Sequence, residues 1–106
     1  SALLGAYRLR LDARGQVASI RIAYGGMAGT PKRAAAAEAA IAGAPWNEAT
    51  VASGMGALGQ DFTPLTDMRA SAGYRMRAAQ NLLRRFLIET TRPDVETRLQ
   101  AAGSAA

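Results

Sequence analysis

Apolar and polar residues change their spacing along the chain, and each spacing predicts a different element. Tyr7, Leu9 and Leu11 alternate with Arg8, Arg10 and Asp12, the period of two that a half-buried strand requires. Asp12-Ala13-Arg14-Gly15 supplies turn chemistry, with Gly15 free to take a positive φ. A second alternating run spans Val17 to Tyr24, with Ala18, Ile20, Ile22 and Tyr24 on one face and Ser19 and Arg21 on the other. Two such runs joined by a short glycine-containing turn predict an antiparallel hairpin, closed by Gly25-Gly26.

Helical spacing takes over beyond the glycines. Thr30-Pro31 carries a helix-start signal, because Thr caps free amides and Pro fits the first helical position. Ala34 to Ala42 is strong helix-forming sequence, and Gly43 closes it. After the connector Ala44-Pro45-Trp46, Asn47 is a good cap for a second helix, with Glu48 in its first turn and an end near Gln60. Phe62 to Leu65 reads as extended, since Pro64 disfavours helix at Thr63. Thr66 or Asp67 then caps the longest helix. Along it Ala79, Leu82, Leu83, Phe86 and Leu87 form a buried stripe, with Arg75, Arg77, Arg84, Arg85 and Glu89 beside it. Arg92-Pro93 interrupts the pattern; Asp94 to Gln100 has room for further turns, and 101–106 is expected to fray. The fold class that results is α+β: a small antiparallel sheet, the N-terminal hairpin, packed against about three helices. A two-stranded sheet alone is marginal, so helices must cover it or a third strand must come from elsewhere.

Composition narrows the chemistry. The 106 residues suit a single domain, 1–106, and the opening at Ser1 suggests a piece of a longer polypeptide. Alanine contributes 25 residues, so the core depends on few large side chains, and Trp46 and Tyr74 are expected within it. The chain has no His and no Cys, which excludes a Ser-His-Asp triad, a cysteine nucleophile, a disulfide framework and Cys- or His-held zinc, haem or iron–sulfur centres. No apolar run approaches the ~20 residues of a membrane span. Thirteen basic residues face eight acidic ones, and twelve of the thirteen are Arg. They are scattered without interleaved aromatics, which favours a solvated or protein-contacting surface over a nucleic-acid interface.

Two glycine patterns invite a functional reading. Gly54-Met55-Gly56-Ala57-Leu58-Gly59 matches G-x-G-x-x-G, but a weak helix precedes it and the position twenty residues beyond Gly59 is Ala79 instead of an acid. Close helix packing is the better account. Gly25 to Arg33 leads glycines into a helix start followed by two cations, an arrangement able to contact a phosphate, yet it lacks the Gly-Lys-Ser/Thr order of a P-loop. A tight strand-to-helix turn is the default. Asp67, Arg69, Tyr74 and Arg75 cluster where the long helix begins, and capping and packing account for them better than catalysis.

At these segments the chain resembles a known family. Ile22-Ala23-Tyr24-Gly25-Gly26-Met27-Ala28, continuing through Thr30-Pro31-Lys32-Arg33-Ala34, is similar to the C-terminal domain of the FAD-binding subunit of xanthine dehydrogenases and of the carbon monoxide dehydrogenase flavoprotein. Asp61 to Ser71, then Tyr74-Arg75, resembles the family's second signature, and Pro45-Trp46 with Glu48 also fits. The likeness runs from about Leu4 to Leu87. It implies a small α+β domain following a larger FAD-binding domain in one polypeptide. It further implies a cytoplasmic parent enzyme that hydroxylates purines and passes electrons from a molybdenum cofactor through [2Fe–2S] clusters to FAD and NAD⁺. The FAD would be held mostly by the upstream domain, and the molybdenum and iron–sulfur centres by other domains or subunits. No flavin ligand, catalytic residue or metal ligand carries over to this chain. Lys32, Arg33 and Arg75 are the candidate domain or subunit contacts. The expected role is therefore a non-catalytic support of the flavin site. The alternative is a small basic module that binds nucleic acid or another polyanion.

Overall fold

The N-terminal alternation folds into a long hairpin in a computed structural model that describes residues 3–27, 30–62, 72–91 and 101–102. Strands β1 (Leu3–Leu11) and β2 (Val17–Gly25) pair antiparallel, with Tyr7 opposite Ile22, Arg8 opposite Arg21 and Arg10 opposite Ser19. The turn is built as its residues predict. The Asp12 carboxylate accepts from the N–H of Arg14 (2.8 Å) and of Gln16 (3.0 Å), and Gly15 takes φ 79°. One irregularity rewrites the face assignment. Leu11 opposes Val17 although Arg10 opposes Ser19, so Ala18 is an extra residue, a β-bulge. The bulge shifts the alternation by one: Val17 joins Ile20, Ile22 and Tyr24 in the core, while Ala18, predicted inside, is exposed. Leu11, predicted to face inward with Tyr7 and Leu9, is 42% exposed.

The sheet gains two short edge strands, giving the order β3-β2-β1-β4. Strand β3 (Lys32–Arg33) pairs with Ala23 and Tyr24 of β2. Strand β4 (Ala101–Ala102) pairs with Leu3 and Leu4, where a frayed end was expected; 103–106 lie outside the described residues. The helix predicted from Thr30-Pro31 starts later, as α1 (Ala35–Ile41). Lys32 and Arg33 find main-chain partners on β2 first, and the N–H of Ala34 donates to the Ile22 carbonyl at 2.7 Å before the chain turns helical. Gly43, at φ 81°, ends this helix and returns its N–H to the Val17 carbonyl at 2.8 Å.

Helix α2 (Glu48–Asp61) begins as read, with the Asn47 side chain accepting from the Thr50 N–H at 3.0 Å. Helix α3 (Ala72–Thr91) buries Ala79, Leu82, Leu83 and Leu87 of the predicted stripe, and Phe86 packs half-buried beside them. The proposed cap at Thr66 or Asp67 and the turns from Asp94 to Gln100 fall outside the described residues. Five of the six aromatic residues form one chain through the core. Tyr7 stacks on Phe86 at 4.7 Å and meets Tyr24 edge-on, Tyr24 meets Phe62, and Trp46 meets Phe86. Tyr7 lies across Gly5, where an added Cβ would stand 2.5 Å from its hydroxyl. The Trp46 indole is tied down by its N–H, which donates to Thr90 Oγ1 at 2.9 Å. Tyr74, expected in the core, is 49% exposed on α3.

Candidate functional site

The two cations that follow the glycine-led segment, Lys32 and Arg33, lie at the junction of β3, α1 and the end of α2. Helix α1 presents unpaired N–H groups at its start, the usual lure for an anion. Here the protein supplies the anion itself. Asp61, the last residue of α2, accepts the Ala36 N–H at 2.7 Å with one carboxylate oxygen and the Ala37 N–H at 2.9 Å with the other. Lys32 closes the reciprocal arrangement. Its Nζ donates to the Asp61 main-chain carbonyl at 2.8 Å, at the negative end of α2, and sits 5.5 Å from the centre of the Phe62 ring.

Arg33 points to the other side of β3, toward Glu38 of α1. Its Nε and Nη2 donate to the two carboxylate oxygens at 3.1 and 2.6 Å, a two-pronged pair. One of those oxygens also accepts the Ile22 N–H at 2.9 Å. Strand β3 is too short to pair with that N–H, so Glu38 completes the edge of β2 where β3 ends. Glu38 is buried while Arg33 is largely exposed. Burial pushes the Glu38 carboxyl up, but the hydrogen bonds from Arg33 and Ile22 and the charges of Arg33 and Arg21 prevail, and its pKa is lowered. The same hydrogen bond and charge raise that of Arg33.

Of the three candidate contact residues, Lys32 and Arg33 are thus adjacent on β3 but directed to different helices, and Arg75 stands apart in the first turn of α3. Of the Asp67, Arg69, Tyr74 and Arg75 cluster, Asp67 and Arg69 lie outside the described residues. The G-x-G-x-x-G segment lies inside α2, not between a strand and a helix. A Cβ on Gly54 would stand 2.5 Å from Ile41 Cδ1 and 2.9 Å from Cγ1, so the bare glycine lets α1 and α2 approach. The packing account is the one the structure bears out.

Three acidic residues carry weight that the sequence reading did not assign: Glu38, Asp61 and Glu89. Glu89 is buried on α3, where the Arg85 Nε donates to it at 3.0 Å. A signal existed for Glu38, the lone acid in an alanine-rich helix five residues after Arg33. For Asp61 the partner amides lie too far back in the chain for any local pattern to show. Buried phenols add a polar thread to the core: Tyr7 donates to Tyr24 at 3.2 Å, and Tyr24 donates to the Ala79 carbonyl at 3.0 Å. Burial, chiefly, raises both phenols far above their ordinary range.

The donor set bears on cofactors. Among the described residues no group of three carboxylates could hold a metal ion, and the chain has no His or Cys to ligate molybdenum-linked or iron–sulfur centres. For FAD, the glycine-led start of α1 is the segment that could cradle a diphosphate among the described residues, and Asp61 already fills it; the described residues there do not fit that role. No helix among the described residues is long and apolar enough to cross a membrane.

Comparison with known proteins gives one family and a consistent set of solved structures. The profile of the CO dehydrogenase flavoprotein C-terminal domain matches residues 1–90. The reconstituted CO dehydrogenase from Oligotropha carboxidovorans superposes with a TM-score of 0.70 at 25% identity, over 78% of this chain and 29% of that one. A carbon monoxide dehydrogenase from Hydrogenophaga pseudoflava that lacks the Mo-pyranopterin moiety of the molybdenum cofactor gives 0.64 at 27% identity, over 78% and 34%. Quinoline 2-oxidoreductase from Pseudomonas putida 86 gives 0.74 at 20% identity, over 89% and 33%, a likeness of fold. The chain thus spans about a third or less of the length of these structures. No relative was found among curated protein sequences.

Proposed function

Because the chain belongs to the CO dehydrogenase flavoprotein C-terminal domain family, we propose that it supports the flavin site of a molybdenum hydroxylase as the last domain of its FAD-binding subunit. The observation that carries this reading is the family match from residue 1 to residue 90, across the whole hairpin and all three helices. FAD, when bound by the neighbouring domain, would supply the redox step between the metal centres and the final electron acceptor. The work of this chain is mechanical. The junction of Lys32, Arg33, Glu38 and Asp61 locks β3, α1 and α2 into one body, and the aromatic chain fastens that body to the hairpin. A domain stiffened in this way holds a fixed wall against its neighbour. The exposed apolar residues Leu4, Leu11, Tyr74 and Ile88 supply surface for such a contact, and Lys32, Arg33 and Arg75 remain its proposed polar members.

The finer reading is a xanthine dehydrogenase-type enzyme, cytoplasmic, acting on purines with NAD⁺ as acceptor, and it rests on the resemblance of the two signature segments alone. Flavin analysis tests the general proposal. The full-length polypeptide carrying this chain should purify with FAD, whereas the 106-residue chain alone should show no saturable FAD binding at low micromolar concentration. Tight binding by the isolated chain, or a full-length protein free of flavin, overturns it. Xanthine-dependent reduction of NAD⁺ by the intact enzyme tests the finer reading.

A further inference from the structure

Helices α1 and α3 pack on one face of the hairpin; among the described residues no helix packs on the other, and its chemistry is uneven. Leu4, Ala6 and Ala23 occupy one end. Toward the turn the same face carries Arg8, Arg10 and Arg21, all exposed, with Ser19 beside them. Arg8 and Arg21 are direct cross-strand partners, and Arg10 is the partner of Ser19. Opposite residues on an antiparallel pair hold their Cβ atoms about 5 Å apart, where like charges destabilise the sheet. Among the described residues none of the three forms an ion pair, and Arg21 only lends its charge at a distance to Glu38, which Arg33 already holds. A shallow groove of about 450 Å³, lined by Arg8, Leu9, Arg10, Ser19 and Arg21, runs through the cluster.

We propose that this cationic face, centred on Arg8, Arg10 and Arg21, docks a carboxylate-rich segment of a partner subunit in the assembled enzyme. The inference rests on the functional reading above. Guanidinium forks match carboxylates two-pronged, and a segment bearing two or three acids would remove the repulsion between Arg8 and Arg21. Adjacent apolar positions on the same face fit a protein surface, since an interface joins an apolar patch to Arg contacts. Nucleic acid fits less well. The face has no aromatic ring for a base to stack on, because five of the six aromatics line the core and Tyr74 lies on α3.

The test uses the intact multisubunit enzyme that carries this chain. Arg8→Glu combined with Arg21→Glu should weaken association of the flavoprotein subunit with its co-purified partners by at least about tenfold, measured by sedimentation at low ionic strength. Wild-type association should weaken as NaCl is raised, and the milder pair Arg8→Gln with Arg21→Gln should fall between the two. Thermal melting of each variant separates lost docking from lost folding, and the glutamine pair serves if the glutamate pair fails to fold. Unchanged association in a folded variant overturns the inference. So does salt-dependent retention of the wild-type protein on a duplex DNA oligonucleotide that the substitutions abolish while assembly is untouched. FAD content is read in the same samples: a subunit without flavin refutes the functional reading, and a flavin-loaded subunit indifferent to the substitutions refutes only the docking face.

Discussion

Glu38 holds three groups at once: both prongs of Arg33 and the Ile22 N–H that the short edge strand leaves over. Its carboxyl titrates below the ordinary value of 4.5, because those hydrogen bonds and charges outweigh the opposing effect of burial. A lowered carboxyl contributes stability that is fully present above the ordinary value and is lost as pH falls through the lower, folded one. Glu38→Gln keeps the shape and removes the charge. It should lower stability by about 1–3 kcal/mol at neutral pH. At about pH 3 the gap to wild type should narrow. Urea unfolding at both pH values checks the pair of outcomes. The exposed Arg84–Glu48 pair, at 2.9 Å, contrasts with it: solvent screens both partners, and its removal should cost about 0–1 kcal/mol.

Helix α2 shows what one element requires of its glycines. Gly54 faces α1, and Gly56 has open space around its Cβ position. Alanine is the better helix former at either site by about 1 kcal/mol. Gly56→Ala should therefore stabilise by roughly 0.5–1 kcal/mol. Gly54→Ala should instead destabilise by about 1–3 kcal/mol, since the fully buried Ile41 has nowhere to retreat. Paired melting curves decide it. Elements of this kind, set by local pattern, were legible in the chain: the hairpin and its Asp12–Gly15 turn, the Asn47 cap, the α3 stripe. Features that depend on a distant partner were not. The bulge at Ala18 follows from how β1 and β2 register, β3 from its pairing with Ala23 and Tyr24, and the late start of α1 from Ile22 and Asp61. Lys32 and Arg33 stood out in the sequence; Glu38, which receives Arg33, left only the signal of a lone acid five residues on, and Asp61, which caps α1, left none.

Taken whole, the molecule joins sheet to helices through its two buried phenols, Tyr7 and Tyr24. Burial raises both above their ordinary value of 10.0, so the folded protein keeps protons that the unfolded chain releases. That stability is complete below about pH 10 and declines as pH rises, by roughly 1.4 kcal/mol per pH unit for each phenol. Alkaline unfolding followed by tyrosinate absorbance should show both hydroxyls appearing together with loss of structure; ionisation of either in the folded protein would contradict the burial. The Asp61 carboxylate reaches across the chain in a different way. A seven-residue helix does not persist by itself in water, and the groups that terminate the start of α1 arrive from 24 and 25 residues downstream. The two helices consequently make and break as a pair: loosening the last turn of α2 strips α1 of the carboxylate that caps its start, and amide protons in both should exchange with solvent as one unit.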